Sequence, residues 1–506
     1  MELRKTDLPA IQVSGRQQIE IIDDAWDALL SQGDPPVLFV TQGLLSRMSR
    51  VEHRWIIDFV GEAGVNGLLV RAARWVQTRN GVDVAAKPPR EIARDLLAYP
   101  NERLPELTAI ATTPVFDAKG QLLNRSGYHA DAALWMDLDE GWEACNVPEH
   151  PTQAELEDAL ALLLDELLGD FPLKADSDRA HVLAAIILPF IRRMFRGLTP
   201  IHLLEAPTPG TGKTRLADLI CIVTVGDRVG TTTLSSDESE ARKKFTTLLS
   251  AGTQVIFIDN VRGGIRSAEL AAIITADMWT DRLLGVNKMV QCHNRALWLL
   301  SANNPRLSME IARRCVRIRL VPSEEMPWKR TGFKHPDIVG WTREHRIQLV
   351  GAVLTIIQSW IAAGRPQGTE VLGSFEAWSR TVGGIINHCG LPGFLGDAGE
   401  FYADVDPESG EWAVFLTAWW EKHRDAPVSA RALMQLAVER DLIAFARTGN
   451  SPSARDSKFG KSLSTLRDRK LSGLEVVFSK DSHDGARRYS LRLAASQSAL
   501  EAKGSA

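Results

Sequence analysis

Residues Ala206-Pro207-Thr208-Pro209-Gly210-Thr211-Gly212-Lys213-Thr214 form a glycine-bearing turn between an apolar stretch, His202-Leu203-Leu204-Glu205, and a helical one, Arg215–Ile222. Strand, tight loop and helix in that order predict a unit of a parallel α/β sheet. The loop's N–H groups and the helix N-terminus make a concave anion site, and Lys213 adds a cation that reaches the β- and γ-phosphates of a nucleoside triphosphate. The predicted binding set is Pro209, Gly210, Thr211, Gly212, Lys213, Thr214 and Arg215, with the Thr214 hydroxyl on Mg²⁺. Pro207 stands where the pattern G-x-x-x-x-G-K-[ST] opens on glycine, so this corner is rigid and has no N–H to donate.

A second element follows on Gln254-Val255-Ile256-Phe257-Ile258-Asp259-Asn260, an apolar strand that ends in a carboxylate. Asp259 at a strand end beside Lys213 and Thr214 suits the water shell of Mg²⁺. Asn260 follows where many such enzymes carry a glutamate base, which leaves the water-activating group open, with Glu238 and Glu240 as substitutes. The next apolar strand, Leu297–Leu300, delivers Ser301-Ala302-Asn303-Asn304-Pro305, and the Asn303 amide suits a group that orients the attacking water. Arg313 and Arg314 close a short helix, from which an arginine can reach a neighbouring subunit's nucleotide.

At 506 residues, 44% of them apolar, the chain has room for about three domains. No apolar run is long enough for a membrane span and the first ten residues lack a signal-peptide core, so the expected compartment is the cytoplasm. Five cysteines stand far apart and indicate neither disulfides nor a zinc site. The net charge of −4 is uneven: residues 427–506 hold 14 Lys/Arg and 8 Asp/Glu, a local +6. The pattern divides the chain into an N-terminal α+β accessory domain (1–145), a helical linker (146–200), an ATPase core (201–322), a helical lid (323–400) that includes a helix over Trp341–Ala363, and a C-terminal module (401–506). Three helices and then a hairpin in that last module predict a winged helix-turn-helix. Lys458, Lys461, Arg467, Arg487 and Arg488 supply its basic face for DNA.

With these motifs, residues 180–400 resemble the AAA+ ATPase superfamily: Walker A at 207–214, Walker B at 255–260, a sensor-1 asparagine at Asn303, and an arginine finger at Arg313 or Arg314. Within it the chain is similar to the replicative helicases of phages, plasmids and other mobile elements, of the superfamily-3 and minichromosome-maintenance type. Asp259-Asn260-Val261, Trp279–Gly285, Ala302-Asn303-Asn304-Pro305, Ala312-Arg313-Arg314 and Phe375-Glu376-Ala377-Trp378 carry that similarity. The resemblance implies a ring, hexameric, that hydrolyses ATP with Mg²⁺ at subunit interfaces and draws a DNA strand through its channel. It also implies a hairpin at 284–295 with Lys288 and His293 on the strand. No primase-like metal carboxylates are visible in the sequence, so in replication priming is expected from a partner such as a primase. The alternative is a non-unwinding AAA+ switch, a helicase loader or a regulatory or defence ATPase.

Overall fold

The computed structural model describes residues 8–31, 36–51, 54–142, 145, 147–261, 263–282, 289–443, 452–467, 469–480 and 487–493, arranged as two compact units, Met1–Ala398 and Gly399–Ala506. The centre of the first unit is a five-stranded parallel sheet. In chain order its strands and two of its helices are β1 (Ile201–Ala206), α1 (Lys213–Val225), β2 (Thr231–Thr232), α2 (Glu238–Ser250), β3 (Val255–Val261), β4 (Leu297–Asn303) and β5 (Cys315–Arg319). The spatial order is β2-β3-β4-β1-β5, so β4 is inserted between β1 and β3 although it follows both in the chain. β1 and β4 are apolar on both faces because helices cover both, the expected signature of a buried parallel strand.

Helix Asp176–Ile191 buries 13 of its 16 residues against β5, α1 and the helix Glu376–His388, which makes it part of this core. Its start is fixed by Asp178, whose carboxylate accepts from the Ala175 N–H at 2.8 Å and the Arg319 N–H at 2.7 Å. His181 is fully buried: Nδ1 lies 2.7 Å from the Arg317 carbonyl and Nε2 accepts from the Leu395 N–H at 3.0 Å. A carbonyl only accepts, so Nδ1 carries the proton and the ring is neutral.

The chain over Trp341–Ala363, expected as one helix of a lid, forms two, Ile338–Glu344 and Arg346–Ala362. The longer is apolar nearly all round and is buried against α1, Gln153–Ala161 and Asp176–Ile191. A different segment, the single turn Pro327–Lys329, lies on the phosphate loop.

Upstream, an antiparallel meander (Leu38–Thr41, Leu44–Val51, Arg54–Phe59) and a small mixed sheet (Ala10–Gln12, Arg74–Arg79, Val82–Ala85) accompany three helices around Trp26, Val65, Leu69, Trp75 and Leu96. Asn80-Gly81, with φ of 51° and 78°, closes the hairpin in the left-handed region that Asn and Gly tolerate best. This layer is stitched to the central sheet by polar contacts. Thr112 and Thr113 hydroxyls donate to the last carbonyls of α1 at Val225 and Thr224, both at 2.8 Å, and Gln254, just before β3, donates to the Ile110 carbonyl at 2.7 Å. Arg346 bridges the Ile222 and Thr112 carbonyls with its guanidinium over the Trp142 ring, and burial pushes its pKa down to about 10.

The second unit has the helices Pro407–His423, Ala430–Glu439 and Pro452–Thr465 and a four-stranded antiparallel sheet. Its long hairpin pairs Leu474–Lys480 with Arg487–Leu493, and the short strand Val428–Ser429 flanks it. Trp412, Phe415, Trp419, Leu433, Phe459, Leu463 and Val476 make its core.

His202 on β1 is also fully buried and burial holds its pKa at about 3, against about 6.5 in an unfolded chain. The unfolded state therefore binds the extra proton first, and stability is lost as pH falls from 6.5 towards 3, by about 2 kcal/mol at pH 5 for such a group. His202→Leu is expected to show a smaller drop in urea-unfolding free energy between pH 7 and pH 5 than the native chain.

Candidate active site

The phosphate loop leaves the C-terminal end of β1 and α1 begins at Lys213, with Gly212 as its N-cap at φ 96° and Gly210 at φ 77°. Both angles suit glycine, and both glycines face aromatic rings. A Cβ on Gly210 would stand 3.1 Å from the Trp328 Cβ, and one on Gly212 would stand 3.4 Å from the Phe171 ring. The corner at Pro207 is held by its carbonyls from Asn304, the residue just after β4. The Asn304 N–H donates to the Ala206 carbonyl at 3.1 Å and the Asn304 side-chain amide to the Pro207 carbonyl at 3.4 Å.

Lys213 is 8% exposed, and its ammonium donates to the Asn303 side-chain oxygen at 2.6 Å and to the Thr211 hydroxyl at 3.3 Å. Burial lowers its pKa, while Asp259 and Glu205 pull it back up. The Thr214 hydroxyl lies 3.3 Å from the Asp259 carboxylate. Ser301, between the two strand ends, donates its hydroxyl to Asp259 and accepts the Asn260 N–H at 2.9 Å. Lys213, Thr214, Asp259 and Asn303 therefore come together, because β4 carries Ser301 and Asn303 into the gap between the lysine and the aspartate.

Asn260 sits at φ 52° where the β3–β4 register slips between Ile258 and Val261, and it is exposed. Its carboxamide accepts and donates hydrogen bonds but is too weakly basic to take a proton, so it can orient a water but not deprotonate one. Neither acidic substitute is placed for that work. Glu238 accepts from the Ser267 hydroxyl at 2.8 Å and the Glu269 N–H at 3.0 Å, capping a helix start, and Glu240 pairs with Lys243 at 2.8 Å on the surface. Among the described residues no group of three metal-ligating side chains exists. Thr214 and Asp259 alone suit Mg²⁺, which binds through one or two protein oxygens and the phosphates of its substrate.

Arg313 and Arg314 part company. Arg314 is buried, with its guanidinium on the Glu310 carbonyl at 2.6 Å, whereas Arg313 is exposed. Both precede β5, at the N-terminal end of the sheet, and the phosphate loop is at the other end, about 20 Å away along a strand of this length. Neither reaches its own chain's loop. Arg215 and Pro209 are exposed beside the loop.

Strands Met278–Arg282 and Met289–His293 pair antiparallel with Met278 opposite His293, so His293 is at the base of the hairpin. Lys288 lies outside the described residues. In the second unit Lys458 and Lys461 are exposed on helix Pro452–Thr465. Arg467 and Arg487 both face the Phe478 ring, at 5.6 and 5.8 Å, and Arg488 is half-buried on the inner strand Arg487–Leu493, opposite Ser429 and Ser479. Sequence reasoning missed Ser301, Asn304, Phe171 and Trp328. The serine and second asparagine stand in the same Ser301–Pro305 run as Asn303, but nothing local marks what they face. The two aromatics are far from the loop in sequence.

No protein-family model matches the chain, and no curated protein sequence matches it. Solved structures similar to it include the apo C-terminal region of NrS-1 (TM-score 0.38, 11% identity, 92% of this chain and 98% of that one). Another is the Cch active helicase of SCCmec type IV (TM-score 0.33, 10% identity, 89% and 91%). A third is the JCV helicase (TM-score 0.23, 14% identity, 49% and 73%). Scores and identities this low assign no family.

Ser301→Ala removes the hydroxyl shared by Asp259 and the Asn260 N–H. The expected result is a loss of about 1 to 3 kcal/mol in urea-unfolding free energy, the cost of leaving a part-buried donor unpaired.

Proposed function

We propose that the chain is an ATP-dependent DNA helicase of the AAA+ type, a ring-forming motor that moves on DNA in the replication of a phage, plasmid or mobile element. The observation that carries this reading is the insertion of β4 between β1 and β3. It puts Asn303 on Lys213 and Ser301 on Asp259, while Arg313 stands exposed at the opposite end of the sheet.

Phosphoryl transfer asks the protein for position and charge more than for covalent chemistry. Lys213 and the loop amides hold the β- and γ-phosphates. Thr214 and Asp259 would hold Mg²⁺, which would supply charge neutralisation for the transfer. Asn303 has two partners available: it keeps Lys213 aligned through its oxygen and leaves its amide N–H groups for the water or the γ-phosphate. With triphosphate bound, Lys213 gains an anionic partner that offsets the burial of its ammonium.

Arg313 completes the site only in trans, since it lies a strand's length from its own loop. Head-to-tail packing follows, and such contacts close into rings when the rotation permits; six subunits is the proposed number. DNA is assigned to the hairpin at 278–293 and to the second unit. The latter has the helix and strand order of a winged helix, with Lys458 and Lys461 exposed on its third helix. Asn260 favours the second reading, a slow ATPase switch, because it supplies no base.

Lys213→Ala and Arg313→Ala are each expected to lose ATP hydrolysis, the latter by 10³-fold or more with ATP binding retained. Mixing the two inactive proteins restores part of the rate, since each supplies what the other lacks at a shared interface. Full hydrolysis by Arg313→Ala alone rejects the trans assignment. DNA-stimulated hydrolysis without strand displacement on a forked duplex rejects the helicase reading and leaves the switch.

Replacing Lys458 and Lys461 by Glu is expected to weaken duplex binding across sequences and to flatten the dependence of log K on log salt by about 1 for each phosphate that is no longer neutralised.

A further inference from the structure

A cavity of about 640 Å³ lies in the first unit, remote from the phosphate loop. Its walls come from Glu106–Ala111, the loop that enters β3, the base of the 278–293 hairpin and the end of helix Asp176–Ile191. Three arginines line it: Arg192, which is buried, Arg193, half-buried, and Arg295, exposed just before β4. The charge they bring is not matched by carboxylates. Arg192 donates to the carbonyls of Phe195, Gly197 and Asn294, and its Nε has no partner among the described residues. Arg193 donates to the Ala132 carbonyl at 2.6 Å and the Thr108 hydroxyl at 3.0 Å. Glu106, on the wall, and Asp277 are the acidic groups that act on the cluster, and neither forms an ion pair with any of the three among the described residues.

Neutral oxygens satisfy hydrogen bonds but do not cancel charge. Burial, together with mutual repulsion, pushes Arg192 and Arg193 down to about 10, still protonated at neutral pH. Guanidinium groups so placed are stabilised by an anion, and their planar forks match phosphate oxygens in pairs. The volume falls in the usual range for a small-molecule pocket, roughly 300 to 1,000 Å³. Gln291 and His293 add polar edges from the hairpin.

We propose that this cavity is a second phosphate-binding site, separate from the loop at 207–214, which takes a phosphate-bearing group of nucleotide size through Arg193 and Arg295 with Arg192 behind them. The phosphate comes either from a nucleic-acid strand at the hairpin or from a free phosphorylated compound. The proposal does not depend on the motor reading, because the loop takes no part in it.

The test uses the full chain, with and without Lys213→Ala, so that binding at the loop is separated. Inorganic pyrophosphate is expected to raise the melting temperature of Lys213→Ala in a dose-dependent way. Arg295→Gln in that background shifts the half-saturating concentration at least tenfold, with circular dichroism unchanged. In parallel, the affinity of a thymidine oligonucleotide is measured against salt. A fall in Arg295→Gln, with the salt slope reduced by about 1, assigns the site to a strand phosphate. An unchanged oligonucleotide affinity with lost pyrophosphate binding assigns it to a free phosphorylated compound. Pyrophosphate stabilisation that is absent in Lys213→Ala, or equal in Arg295→Gln, overturns the proposal.

Discussion

The contact on which the candidate site depends is the 2.6 Å hydrogen bond from the Lys213 ammonium to Asn303. A lysine that is 8% exposed would ordinarily be expensive. Here a neutral amide shares its proton, Asp259 and Glu205 act on it from nearby, and the loop beside it is built to receive an anion. The arrangement exists because β4 enters the sheet between two strands that precede it, at the place where open α/β sheets reverse their winding and leave a crevice.

The same strand supplies support that the reacting groups lack by themselves. Ser301 holds the Asp259 carboxylate and the bulged Asn260 amide, and Asn304 holds the rigid corner at Pro207. Proline in place of the usual loop glycine has no N–H to donate, and Asn304 holds the corner by the Ala206 and Pro207 carbonyls. The upstream layer is tied to the ends of α1 and β3 by hydrogen bonds of Thr112, Thr113, Gln254 and Arg346, beside the packing of Val115 and Phe116 against helix Asp176–Ile191.

Much of this was legible. The strand before the loop, the helix after it and the Asp259 strand are announced by apolar runs that end in polar residues, because a strand covered on both faces has to be apolar throughout. The capping box Thr152/Glu155 that opens helix Gln153–Ala161 is likewise local, since its bonds run between residues three apart. Less was visible wherever partners are far apart in sequence. Arg313 and Arg314 look alike in the chain, and only burial of one against Glu310 separates them. Glu238 reads as a spare carboxylate until it is seen capping a helix that starts 30 residues later. The Trp341–Ala363 stretch has helical periodicity, but periodicity does not show the break at His345 between two helices.

The sequence by itself determined that a glycine-bearing loop joins strand to helix ahead of an apolar strand ending in Asp259, since these depend on neighbours along the chain. Tertiary structure alone decided that Asn303 meets Lys213, that Ser301 meets Asp259, and that Arg313 faces away from its own loop. It also gathered Arg192, Arg193 and Arg295 around one cavity. Those outcomes depend on strand order, and strand order is settled by which apolar faces bury one another, a choice no local stretch of residues encodes.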